Sequence, residues 1–143
     1  IFRQPMFADF EHQLHTMAKN NEPMSSKIIT DLYAKLNQDY FGDAVKMDEL
    51  VGWSCYYVPH FYYDYYVYKY TLGMTVALAI VKRILQGDQK QVDQYLNFLK
   101  SGGKESPVDL LTHAGVNPLD DAIYDDAFHY FEDLLNEFEK LSK

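Results

Sequence analysis

Apolar positions recur at helical spacing along almost the whole chain. Phe7, Phe10, Leu14 and Met17 lie three or four residues apart, and this spacing predicts a helix over 7–19. Asn20-Asn21-Glu22-Pro23 breaks it. Ser25 or Ser26 then caps a second helix with a stripe of Ile28, Ile29, Leu32, Tyr33, Leu36 and Tyr40, stopped by Gly42. Residues 47–53 read as one or two helical turns. Pro59 suits the first position of a long helix over 59–86, with Gly87 ending it. Val92, Tyr95, Leu96 and Leu99 mark another helix, closed by Ser101-Gly102-Gly103. Ser106-Pro107-Val108-Asp109 opens a short helix that stops at Gly115, and Asn117-Pro118-Leu119-Asp120 repeats the start signal. The last helix sets Leu119, Ile123, Ala127, Phe131, Leu134, Phe138 and Leu141 on one face. Only residues 54–58 hint at strand alternation. The pattern predicts an all-α fold over 1–143 as a single unit.

A chain of 143 residues, 48% of them apolar, holds one ordinary core and not two independent ones. The formal net charge of -8, with no cluster of Lys and Arg, disfavours nucleic acid as a partner. The longest apolar run, 70–81, ends at Lys82-Arg83 and falls short of the ~20 residues of a membrane span. Membrane is therefore not an expected partner. A single cysteine, Cys55, allows no internal disulfide, which fits a cytoplasmic setting. Cys55 is expected to be a small buried or half-buried thiol rather than a nucleophile.

Tyrosine is the outlier, with 13 copies, eight of them within residues 56–70. Wound as a helix at ~100° per residue, these rings go all the way round. Phe61, Tyr65 and Tyr68 would share one face, and Tyr62 and Tyr66 another. A helix without a polar face is buried or lines a cavity. Two readings stand side by side. Either the hydroxyls line a polar cleft and donate to substrate carbonyls or a developing oxyanion, or the rings fill a core and their hydroxyls reach water or backbone.

The run Pro59-His60-Phe61-Tyr62-Tyr63, followed by Tyr65-Tyr66-Val67-Tyr68-Lys69-Tyr70, resembles the substrate-facing helix of the oligoendopeptidase F branch of the thimet-type zinc metallopeptidases. Phe2-Arg3-Gln4 and Met6-Phe7-Ala8-Asp9-Phe10-Glu11-His12 resemble the family's helix just downstream of its metal site. Tyr40-Phe41-Gly42-Asp43, the run from Leu96 through Gly103, Ser106-Pro107 and Ala114-Gly115-Val116 extend the likeness in order over essentially the whole chain. Pro5 departs from it, standing where the family has a small or hydroxyl residue.

That family is built on H-E-x-x-H and a further Glu that hold zinc, with the motif's Glu as general base. This chain has no such motif. Its nearest approach, Glu11-His12-Gln13-Leu14-His15, has the wrong order and spacing. The resemblance therefore implies the C-terminal portion of a larger zincin-type helical catalytic domain, with its zinc ligands upstream of Ile1. Zinc is expected in the parent enzyme, no metal on this chain alone, and no activity from the isolated chain. The implied partners are short peptide substrates and the missing N-terminal part of the peptidase. By the same resemblance, Tyr68 donates to the oxyanion, His60 is the orienting imidazole, and Tyr65 and Tyr66 bind substrate. The alternative, from a different class, is a non-catalytic helical interaction module or homodimer that uses the Tyr-rich segment as its surface. For Glu11 and His15, four apart, the bland reading is a pair on the surface of their helix, set against a less favoured metal site of Glu11, His12 and His15.

Overall fold

The computed structural model describes residues 2–143. Its helices are α1 (Arg3–Lys19), α2 (Ser26–Phe41), α3 (Tyr68–Leu85), α4 (Gln89–Ser101), α5 (Pro107–His113) and α6 (Ala122–Leu141), with 3-10 turns at Gly42–Ala44, Val51–Tyr57 and Pro59–Tyr62. No strand forms among the described residues. No described helix is long and apolar enough to cross a membrane. Contacts divide the chain into two compact units, residues 1–71 and 72–143.

The start and stop signals act as their chemistry requires. Ser25 Oγ accepts from the Ile28 N–H, and Ser106 Oγ from the Asp109 N–H. Gly42, Gly87, Gly102 and Gly115 take the positive φ that ends a helix or turns the chain after it. Pro5 sits in the first turn of α1, where backbone N–H groups have no helical partner, so its missing donor costs nothing. The hint of alternation at 54–58 comes to nothing: Val51–Tyr57 is 3-10 backbone and Val58 alone is extended. α6 begins later than the Asn117-Pro118 signal suggests. Asn117 and Asp120 each accept from an N–H two residues on, which turns the chain before Ala122.

In the first unit α1 supplies Met6, Phe7 and Phe10 to the core, α2 supplies Tyr33 and Leu36, and the segment after it supplies Cys55, Val58 and Val67. The Phe10 ring lies 4.9 Å from Tyr33 and 5.0 Å from Phe61, centroid to centroid. Gly52 packs against α2 so closely that a Cβ there would stand 2.5 Å from the Thr30 carbonyl oxygen. Cys55 is buried, and burial pushes its thiol up, which disfavours the thiolate.

In the second unit Val76, Ala79 and Ile80 of α3 pack with Ala114, Val116 and Ile123. Buried Gln91 donates to the Ala114 carbonyl at 2.7 Å. Arg83 bridges the Gly115 carbonyl (2.7 Å) and Asp126 (2.9 Å), and Lys82 reaches the same carboxyl at 3.0 Å. Burial pushes the Asp126 carboxyl up, but hydrogen bonds and charge from Lys82 and Arg83 outweigh it and hold the group below the usual range. A depressed carboxyl pKa stabilises above the unfolded value of ~3.9, and that stability is lost as pH falls through the folded value. Asp126→Asn is therefore expected to cost about 1–2 kcal/mol at pH 7 and much less near pH 3. Urea unfolding of wild type and variant at the two pH values checks this. An equal difference at both would remove Asp126 as the cause.

The apolar stripe expected along α6 divides in two. Ile123 and Ala127 are buried, whereas Leu134, Phe138 and Leu141 are exposed, as is Leu119 ahead of the helix.

Candidate functional site

The tyrosine-rich segment corrects one expectation outright. It is not the first half of a long helix over 59–86. A 3-10 turn covers Pro59–Tyr62, the chain reverses at Asp64 and Tyr65, and α3 starts only at Tyr68. The shared faces expected from helical winding therefore do not exist. The cause lies in what the segment must bury. Phe61 and Val67 both pack into the first unit's core, yet on one helix they would point roughly 120° apart. Aromatic and β-branched residues are also weak helix formers, so little local preference opposes the break.

Asp64 (φ 47°) and Tyr65 (φ 50°) are consecutive non-glycine residues with left-handed backbone. Such residues cost roughly 1–3 kcal/mol each and persist only where their surroundings hold them. Here the holder is Glu11 of α1. Its side chain is buried at 3% relative exposure, and one carboxyl oxygen accepts the Tyr65 N–H at 2.7 Å. His15, one turn along α1, stacks on the Tyr65 ring at 4.3 Å, and its Nε2 lies 3.8 Å from the Asp64 carboxyl. The expected surface pair of Glu11 with His15 is thus corrected. Both face the 64–65 turn, because a carboxyl beside Met6, Phe7 and Phe10 needs a donor that the turn's free N–H provides. Its sequence signal was an acid on the apolar side of α1, four residues after Phe7.

His60 belongs to a second cluster. Its ring stacks on Tyr66 (5.6 Å) and meets Tyr70 (5.8 Å) and Tyr63 (6.4 Å) edge-on. Tyr66 meets Tyr63 and Tyr70 at 5.8 and 5.6 Å, and Lys69 Nζ sits 4.8 Å from the Tyr66 ring centre. The Tyr70 hydroxyl donates to that of Tyr66 at 3.4 Å. That hydrogen bond, with some desolvation, raises the Tyr70 phenol above its ordinary value.

The structure therefore brings His60 and Tyr66 together and places Tyr65 against His15. Tyr68 stands apart as the first residue of α3, 47% exposed, and no ring contact or hydrogen bond joins it to the other three among the described residues. Tyr63 and Tyr70 complete the cluster around His60, although sequence reasoning gave them no role. Chemically, the segment offers phenol hydroxyls of Tyr63, Tyr66 and Tyr70 gathered beside the His60 imidazole, next to a turn held by α1. Such groups suit hydrogen bonding to carbonyl oxygens. Among the described residues, no three His, Cys, Asp or Glu side chains meet in a group that would hold a metal ion, so the residues present do not fit a zinc site.

Comparison with known proteins adds the context. The model of "Peptidase family M3" matches residues 1–130. Oligopeptidase PepF of Bacillus subtilis (strain 168) is 42% identical over 141 residues, a match covering 99% of this chain and 21% of that protein. An oligoendopeptidase F homolog of Borreliella burgdorferi is 39% identical over 141 residues, covering 99% of this chain and 24% of its own length. The crystal structure of oligoendopeptidase-F from Enterococcus faecium superposes with a TM-score of 0.94 at 40% identity, over 99% of this chain and 27% of that one. The chain thus spans about a fifth to a quarter of the length of the curated relatives it matches.

Proposed function

The chain belongs to peptidase family M3, and from that premise we propose that it is the C-terminal, substrate-facing part of a zinc-dependent oligoendopeptidase that hydrolyses short peptides. In this reading residues 1–143 work as one all-α part of a cytoplasmic catalytic domain. The observation that carries the reading is the gathering of Tyr63, Tyr66 and Tyr70 around His60 beside a strained turn that a buried carboxyl holds in place. Strain of this kind clusters where a backbone is being held for a ligand.

Each assigned residue has a task suited to its surroundings. Tyr68, half exposed at the start of α3, donates its O–H to the oxygen that gains charge as the scissile carbonyl becomes tetrahedral. Tyr65 and Tyr66 hydrogen-bond backbone carbonyls of the bound peptide. His60, its ring held between Tyr66 and the edges of Tyr63 and Tyr70, orients the substrate. Zinc belongs, in this reading, to parts of the parent outside this chain, and the isolated chain is inactive.

Mixing this chain with the remainder of the parent polypeptide and zinc, then assaying a quenched fluorescent peptide, tests the reading. Cleavage is expected only when both polypeptides are present. Full cleavage without this chain would overturn it. So would self-association of the chain with no rescue of cleavage, which would favour the alternative of an interaction or dimerisation module that uses the Tyr-rich segment as its surface.

A further inference from the structure

We infer that Glu11 is a positioning residue for peptide hydrolysis: by accepting the Tyr65 N–H from a buried site on α1, it sets the left-handed turn at Asp64 and Tyr65 that aims the tyrosines on either side of it. The inference rests on the peptidase reading above and adds a residue to it that touches neither substrate nor metal.

Four observations converge on Glu11 and the turn it holds. It is the buried acid of the first unit, and a carboxyl so placed needs a donor. The donor it takes is a backbone amide 54 residues away in sequence, at 2.7 Å. That amide belongs to Tyr65, a bulky residue whose φ of 50° disfavours the turn without outside support. The His15 ring stacked on Tyr65 fixes the side chain of the same residue whose backbone Glu11 fixes. Without the carboxyl, the turn relaxes toward ordinary backbone angles. The next residue, Tyr66, carries the His60 cluster, and Tyr68 follows within three residues of the turn, so both lose their aim. Glu11 thus acts on the site through backbone conformation, and a glycine in the turn should partly replace it. Glycine takes positive φ without steric cost, and Asp64 is the turn residue to which no substrate role has been given.

The experiment uses the full-length peptidase. Glu11→Ala is expected to lower kcat/KM at least tenfold and to speed amide hydrogen exchange at Tyr65 to the rate of an open loop. Glu11→Gln, whose amide oxygen accepts the same N–H more weakly than a carboxylate does, is expected to lower kcat/KM about threefold. Adding Asp64→Gly should recover at least threefold of the Ala loss and most of the Gln loss. Alone, Asp64→Gly should leave kcat/KM within twofold of wild type, because the turn is already formed there. Kinetics are read on folded protein, so a role in folding alone would lower the urea midpoint and leave kcat/KM of the folded enzyme unchanged. Should the Ala variant fail to fold, the Gln variant carries the same comparison. Losses that glycine does not reverse, or unchanged exchange at Tyr65, would overturn the inference. A wild-type protein with no peptidase activity would overturn the functional reading instead, while exchange at Tyr65 would still report whether Glu11 holds the turn.

Discussion

Tyr68→Phe in the full-length peptidase is expected to lower kcat by about a hundredfold and to leave KM almost unchanged. One preorganised oxyanion donor is worth roughly 3 kcal/mol, which is that factor in rate. The substitution removes one oxygen and keeps the ring, so packing at the start of α3 is preserved. The backbone there is already helical. The Tyr68 hydroxyl also has no hydrogen bond to break among the described residues, so its O–H is free to meet charge as charge develops. An interaction made only in the transition state appears in kcat and not in KM. Steady-state kinetics on a quenched peptide decides the matter. A rise in KM at constant kcat would move Tyr68 to ground-state binding, and no change in either constant would take it out of the mechanism. Tyr57→Phe is the matched control, since that ring is exposed in the 3-10 turn before Pro59 and has been given no role.

Phe10→Ala carries the largest expected effect on stability, about 3–5 kcal/mol. Phe10 is 1% exposed and touches the rings of both Tyr33 and Phe61. Removing it leaves a cavity where α1, α2 and the tyrosine segment meet, and Phe61 loses one of the contacts that draw the segment onto the core. Trp53, the single tryptophan, lies in the same unit, so its fluorescence follows this unit during urea unfolding. Phe10→Leu refills part of the space and should lose less than half as much. A loss under about 1 kcal/mol for the alanine variant would mean that the core closes over the gap, contrary to the packing described.

The two substitutions probe features of unequal legibility. The apolar side of α1, with Phe7 and Phe10 at helical spacing, stands out in the sequence, and both side chains are buried. The caps at Ser25 and Ser106 and the glycine stops were equally plain, because each is a local event. A side-chain oxygen meets an amide three residues away, or a residue without Cβ takes a positive φ. The M3 likeness was legible as well, since it rests on runs of residues spread in order along the chain. The turn at Asp64 and Tyr65 was not. Neither residue is a glycine, nothing near them in sequence accepts the Tyr65 amide, and an unbroken aromatic run resembles one buried helix.

The places of α2, α4 and α5, the serine caps and glycine stops, the acidic balance and family membership were therefore determined by residue order alone, because each depends on neighbours within a few positions or on matching runs, whereas the starts of α3 and α6 were not. Which tyrosines face which partner was decided only when α1 came to lie against the segment. There a buried Glu11 needed a hydrogen-bond donor and found it 54 residues away, and the packing of Phe61 and Val67 on one core broke the helix that local spacing favoured. An unpaired buried carboxyl costs more free energy than a strained turn, so the tertiary contact prevailed over the local pattern.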